Sequence, residues 1–326
     1  MPGSLRRSLL AALALSAGLA ILPLSARADD YPTHPITLVL PFAAGGGGDV
    51  LGRVLAEYFG KQLGQPLIVE NRPGAGGVIG TQYVARAKPD GYTITIGGMT
   101  THLLAPITNP SVQYNPLKDF VPIGGIGNSP IVMLAANDFP ANDIKELKAL
   151  QAKRKQSLQY GSWGPASTGN FCGEILALKS GLRLEHVPYR GTTEVITGLI
   201  GGQIPVGFVD MATAVPQVQG GKLKALALCT KPSPSLPKVR GYVDQGIDFD
   251  RPLTWVMYGP AGLPAPVLKK LSDTLAAALQ EPSIQQRLLS LGIEPGFVPS
   301  AKQHDILVRD YASWKQIADE AHIQMQ

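Results

Sequence analysis

Ile36-Thr37-Leu38-Val39-Leu40-Pro41-Phe42-Ala43-Ala44-Gly45-Gly46-Gly47-Gly48-Asp49 decides how this chain folds. An apolar run of strand type, residues 36–42, enters a glycine-rich loop, residues 43–49. Val50, Leu51, Val54, Leu55, Tyr58 and Phe59 then recur at helical spacing, and a second short strand follows at 67–70. Strand, helix, strand implies a parallel sheet covered by helices. The loop opens a helix, where backbone N–H groups lack intrahelical acceptors and the helix dipole favours negative charge. Glycines let a ligand approach the backbone closely. Such a loop binds an anion without Arg or Lys. Asp49 reads first as the N-cap of that helix and second as a ligand contact.

The alternation continues outward. Strands are expected at 92–97, 131–135, 158–161, 184–189, 204–210, 223–229 and 253–259. Helices are expected at 144–155, 171–180, 193–200, from Pro264 to Leu279, and at 303–321. A Pro- and Ser-rich loop spans 231–238. A second glycine- and serine-rich loop, 161–170, also follows a strand and opens a helix. Ligands of open α/β sheets bind where such loops cluster, at the carboxyl ends of strands. Two lobes that each carry one would form a cleft.

Two nucleotide readings of the first loop fail. Gly45-x-Gly47 and Glu70 imitate a dinucleotide fingerprint, but its third glycine position is Val50. A phosphate-binding P-loop needs Gly-Lys-Ser/Thr, which does not follow.

The first residues read as a leader. Arg6 and Arg7 precede the apolar run 9–24, and Ala26-Arg27-Ala28 has the small-x-small form of a cleavage site. The run is shorter than the ~18–20 residues of a spanning helix, so residues 1–28 are expected to be a cleaved signal peptide. The residues after Arg6-Arg7 match a twin-arginine signal poorly, and the export route stays open. The full chain carries a net charge of +5, but residues 1–28 hold three Arg and no acid, which leaves 26 basic against 24 acidic residues. With no basic cluster interleaved with aromatics, nucleic acid is not an expected partner. Cys172 and Cys229 are the only cysteines. An oxidising compartment permits a bridge, but two separately buried thiols are the favoured reading.

Catalytic and metal motifs are absent. His34, His102, His186, His304 and His322 form no His-Glu-x-x-His pattern. Gly161-Ser162-Trp163-Gly164 is one residue short of a nucleophile elbow. His186 reads as a packed histidine. Asp210, at a strand tip, either faces a ligand or caps a following helix. Missing motifs do not exclude an enzyme, whose catalytic residues need not be adjacent in sequence.

Several segments together resemble one family. They are Tyr31-Pro32-x-x-Pro35-Ile36-Thr37-Leu38 with Pro41-Phe42-Ala43-Ala44-Gly45-Gly46, then Val69-Glu70-Asn71-Arg72-Pro73-Gly74-Ala75-Gly76-Gly77 and Lys88-Pro89-Asp90-Gly91-Tyr92-Thr93. His186-Val187-Pro188-Tyr189-Arg190-Gly191, Gly201-Gly202-Gln203-Ile204, Gly221-Lys222-Leu223-Lys224-Ala225-Leu226-Ala227 and Tyr258-Gly259-Pro260-Ala261-Gly262-Leu263-Pro264 continue the series. In order, and over essentially the whole mature chain, this resembles the Bug-type (TctC-like) periplasmic receptors of tripartite tricarboxylate transporters.

The resemblance implies an α/β, two-lobe periplasmic-binding-protein fold (Venus flytrap, type II-like) with crossover strands between lobes. Lobe 1 would be 29–128 plus 254–326 and lobe 2 would be 129–253, with crossings near 125–129 and 253–256. It implies a periplasmic, non-enzymatic monomer with no cofactor or metal. The protein would capture a small carboxylate, a dicarboxylate or an aromatic acid, for transporter subunits at the inner membrane. A sensor protein as client, or an exported α/β enzyme acting on a small acid, are the alternatives. Relatives hold such ligands through backbone amides, small hydroxyls and ordered water.

By position, the resemblance implies lobe-1 contacts from Phe42, Ala44, Gly47, Gly48, Asp49, Thr100 and Thr101. Lobe 2 would add Ser162, Trp163, Gly164, Ser167 and Thr168, with Tyr189, Gly191, Thr192 and Asp210 on the far wall. Ser167 and Thr168 would also cap the helix that follows. The chain departs from its relatives at Gly48, where a Thr or Ser is common, at Ala166 in place of a glycine, and at Asn170 in place of a histidine. Trp163 reads as packing, or more sharply as a platform for a flat acid with room made at Gly48.

Overall fold

The computed structural model describes residues 31–320 except 155 and 250–253. The expected signal peptide lies outside the described residues, as do the ends of three expected elements at Lys155, Leu253 and Ala321.

The opening stretch folds as its pattern dictates. Strand β1 (Ile36–Leu40) is buried along almost its whole length, as expected of a strand covered on both faces. It stops before Pro41, which has no N–H to donate. Helix α1 (Gly47–Leu63) buries Leu51, Val54, Leu55 and Phe59 on one face, and Gly64, in the left-handed region, ends it. Burial of each such side chain contributes roughly 1.5–3 kcal/mol. Strand β2 (Leu67–Asn71) then pairs parallel to β1.

A glycine loop and helix α2 (Val78–Ala85) lead to β3 (Thr93–Gly98), parallel to β1 on its other side. A π-helical turn, Met99–Leu104, runs into the short α3 (Ala105–Thr108). Strand β4 (Phe120–Asn128) belongs to the first sheet and β5 (Ile131–Ala136) to the second, so the chain changes sheets across Ser129 and Pro130. The second sheet is completed by β6 (Leu158–Ser162), β7 (Leu184–Pro188), β8 (Val206–Asp210) and β9 (Leu223–Leu228). Its helices are α4 (Ile144–Arg154), α5 (Thr168–Ser180), α6 (Thr192–Ile200) and α7 (Met211–Gln219). Then β10 (Thr254–Pro260), α8 (Ala265–Gln280), α9 (Pro282–Ser290), β11 (Glu294–Pro299) and α10 (Ser300–Glu320) return to the first sheet.

The first sheet has the order β11-β4-β10-β3-β1-β2 and the second β7-β6-β8-β5-β9. Neither is purely parallel, which corrects the expectation from the first strand–helix–strand unit. β10 runs antiparallel to β3 and β4, and β5 antiparallel to β8 and β9. β5 and β10 are the strands by which the chain enters each sheet from the other one, and β11, at the edge of the first sheet, also runs antiparallel to β4.

The cysteines correct a second expectation. Cys172 of α5 and Cys229, just past β9, form a disulfide with a Cα–Cα distance of 5.9 Å. Both are fully buried. Packing of α5 against the second sheet brings together residues 57 apart in sequence, a proximity no local pattern announces.

Candidate functional site

The strand tips of both sheets open onto one cavity of about 690 Å³. From the first sheet's side come Pro41, Phe42, Ala43 and Gly46–Gly48, the loop Pro73–Gly77, and Gly98–Thr100. From the second come Trp163–Pro165, Thr168, Pro188–Glu194 and Asp210. Ser129, Ile131, Thr254 and Trp255 lie beside the sheet changes.

Of the residues expected from sequence, Phe42, Gly47, Gly48, Thr100, Trp163, Gly164, Thr168, Tyr189, Gly191, Thr192 and Asp210 line this cavity. Five do not. Ala44 is exposed on the outside of the loop. Asp49, Thr101, Ser162 and Ser167 stand behind the wall as its supports.

Asp49 is not the N-cap. Gly46 takes that position, and Asp49 sits in the first turn, 4% exposed. Its Oδ2 accepts from Gly45 N–H at 2.9 Å and from Arg53 Nε at 3.1 Å, and its Oδ1 accepts from Asn71 Nδ2 at 2.9 Å. Asn71 also donates to the Phe42 carbonyl. Asp49 therefore ties the loop to β2. Burial raises its pKa, but the bonds from Arg53, Gly45 and Asn71 outweigh this and hold it below the usual carboxylate range.

Thr101 Oγ1 accepts from Gly98 N–H and bonds His102 Nδ1 at 2.9 Å, fixing the turn that carries Thr100. Ser167 caps α5, accepting from Asn170 N–H at 3.1 Å. Ser162 Oγ lies 3.1 Å from Ser167 Oγ and 2.7 Å from His186 Nε2. Burial pushes the His186 pKa down to about 4. This Ser–His pair is no nucleophile facing the cavity, because Ser162 is fully buried behind the wall. His186 is a packed histidine, as read from sequence.

Gly48 is a further correction. A Cβ there would come within 2.4 Å of the Phe42 ring, so the glycine leaves a phenyl contact and no extra room. Phe42 in turn meets Trp255 edge-on at 5.5 Å. Trp163 lies across α5, where a Cβ on Gly169 would stand 2.5 Å from its ring. It is packed and also part of the cavity wall. Ala166, where the resemblance implies a glycine, holds a left-handed φ of 54°. The tight turn before α5 demands that conformation whatever residue fills it.

Two long helices begin at the cavity with usable first turns: α1 at Gly47 and α6 at Thr192. Their leading amides have no intrahelical acceptor. A third, α5, has its first amide engaged, because Thr168 N–H donates to Thr100 Oγ1 at 3.0 Å. The Thr192 hydroxyl is buried and has no hydrogen-bond partner. Arg190 and Glu194 on the wall are exposed, so no buried cation serves this cavity among the described residues. Phe42, Met99, Ile131, Trp163, Tyr189 and Trp255 supply an apolar and aromatic part of the wall beside the hydroxyls of Thr100, Ser129, Thr168, Thr193 and Thr254. No group of His, Cys, Asp and Glu able to hold a metal occurs among the described residues.

Sequence reasoning missed the loop Pro73–Gly77 and the pair Thr254–Trp255. The loop carried a signal, since it is a third glycine-rich segment before a helix. Trp255 carried none, as its place depends on the return of the chain to the first sheet.

A cleft at the strand tips of two mixed sheets, served by helix starts, is a site suited to a small anionic solute. The family model described as tripartite tricarboxylate transporter family receptor matches residues 51–323, and the chain belongs to that family. This is a family of binding receptors, not of enzymes. The fold is similar to the periplasmic binding protein BugD, 33% identical over 91% of this chain and 100% of that one, with a TM-score of 0.86. It is similar to an R. palustris protein solved with adipate, 27% identical over 90% and 99% of the two chains, TM-score 0.86. MatC from Rhodopseudomonas palustris, with bound malate, is 28% identical over 88% and 99%, TM-score 0.81.

Proposed function

We propose that this protein captures a small carboxylate with an apolar body, a dicarboxylate or an aromatic acid, in the cleft between lobes 29–128 plus 254–326 and 129–253. It works in the periplasm as a monomer and delivers its ligand to membrane subunits of a tripartite tricarboxylate-type transporter. The carrying observation is the meeting of the α1 and α6 starts at one cavity, beside the unpaired Thr192 hydroxyl and with no buried cation among the described lining residues. Such a site suits a carboxylate, which helix starts hold by directed N–H groups and dipole. The aromatic walls suit a carbon skeleton. Relatives solved with adipate and malate support the ligand class. Calorimetric titration of the wild type with adipate, malate and benzoate tests it: at least one is expected to bind with a Kd in the micromolar range or below. Absence of binding by all three would overturn the reading.

A further inference from the structure

Asp210 stands out on the cavity wall, and its role rests on the carboxylate reading of the cleft. It is 8% exposed and the only buried acidic or basic side chain among the described lining residues. It enters none of the ion pairs found among the described residues. Its Oδ1 accepts from Thr213 N–H at 2.9 Å and so caps α7. That bond holds the carboxylate against the first turn of α1, where a Cβ on Gly47 would lie 2.4 Å from Oδ1. One residue earlier, a Cβ on Gly46 would lie 3.4 Å from the unpaired Thr192 Oγ1. Consecutive loop residues therefore face a free hydroxyl and an acid.

For a plain carboxylate this is a conflict. The helix starts attract its charge, and Asp210 repels it at close range. A hydrogen-bond donor on the carbon next to the ligand's carboxylate removes the conflict. With the carboxylate on the α1 amides beside Thr192, that neighbouring carbon stands opposite Asp210, whose second oxygen can accept the donor. Bonds to a charged acceptor are the strong ones. A buried acceptor left unmatched discriminates sharply against a ligand that lacks the donor. We propose that Asp210 is the specificity determinant of the cleft: it favours carboxylates bearing a hydroxyl or ammonium on the adjacent carbon and disfavours the same acids without one.

Two matched series test this by calorimetry: succinate, malate and aspartate, and 3-phenylpropionate, 3-phenyllactate and phenylalanine. Each is titrated into the wild type and into Asp210→Asn, whose side-chain oxygen can still accept from Thr213 N–H. In a series that binds, a donor-bearing acid is expected to bind the wild type about tenfold or more tightly than the plain acid. Asp210→Asn is expected to shrink that gap to about threefold or less, chiefly by improving the plain acid. The proposal is overturned if the plain acid binds the wild type as tightly as its donor-bearing partners, or if the gap persists in the variant. In both cases the carboxylate site itself would stand. Failure of all six acids while adipate or benzoate binds would overturn this proposal alone, and failure of adipate and benzoate as well would overturn both readings. The wild-type comparison decides alone if the variant does not fold.

Discussion

Gly47 shows how one residue serves both sides of the cleft. Its Cα lies so close to Asp210 that a Cβ would stand 2.4 Å from Oδ1 and 2.8 Å from the carboxyl carbon. Gly47→Val therefore obstructs the seating of Asp210 against the loop as well as ligand approach. Ligand affinity is expected to fall about 100-fold or more, with the far-UV CD spectrum unchanged; calorimetric affinity equal to the wild type would contradict this. Trp163 works through its surface. For Trp163→Ala, a selective loss of aromatic over aliphatic acids is expected in a fluorescence or calorimetric titration, and equal affinities across the panel would sink its role as a platform. His102 governs pH dependence. It is fully buried, stacked on Tyr258 at 3.8 Å, its Nε2 has no partner, and burial lowers its pKa to about 3. Unfolded, it titrates near 6.5. The unfolded chain thus binds more protons between these values, so stability is complete above about pH 6.5 and falls as the pH drops through that window. His186, lowered to about 4, acts in the same direction. The Tm is expected to be lower at pH 5 than at pH 7 by about 3 °C or more, and less so in His102→Phe. A Tm unchanged between the two pH values would contradict the assignment.

At the scale of elements, the disulfide joins α5, which carries Thr168, to the end of β9. Closing a loop of this length stabilises by about 4 kcal/mol on a chain-entropy basis. Replacing both cysteines by serine is expected to cost a stability of that order in urea unfolding, and a loss under about 1 kcal/mol would contradict it. The elements that sequence revealed are those with local signals. β1 and α1 were legible because apolar spacing and the glycine loop lie within one stretch. β4 was not, because Ile123-Gly124-Gly125-Ile126-Gly127 offers neither alternation nor a β-branched run, and its pairing with β10 and β11 supplies the order. Asp49 was misplaced by three positions of the cap because the helix starts inside the glycine run, where any of several residues could begin it. The bridge between Cys172 and Cys229, like the wall position of Trp255, is a tertiary fact.

At the scale of the molecule, the two sides of the cleft already touch. Thr100 Oγ1 meets Thr168 Oγ1 at 2.6 Å. A Cβ on Gly191 would lie 3.1 Å from the Ala43 methyl, and one on Gly76 3.1 Å from the Pro165 carbonyl. Small residues at these points let backbone approach backbone, and on the proposed reading a ligand held by both sides would favour this arrangement. On that reading, closure rests on the ligand's carboxylate, held at the helix starts of α1 and α6. The most direct measurement is calorimetric comparison of the tightest-binding acid with its own carboxamide, which keeps shape and polarity but removes the charge. The carboxamide is expected to bind about 100-fold more weakly or not at all; binding within about threefold of the acid would contradict the account.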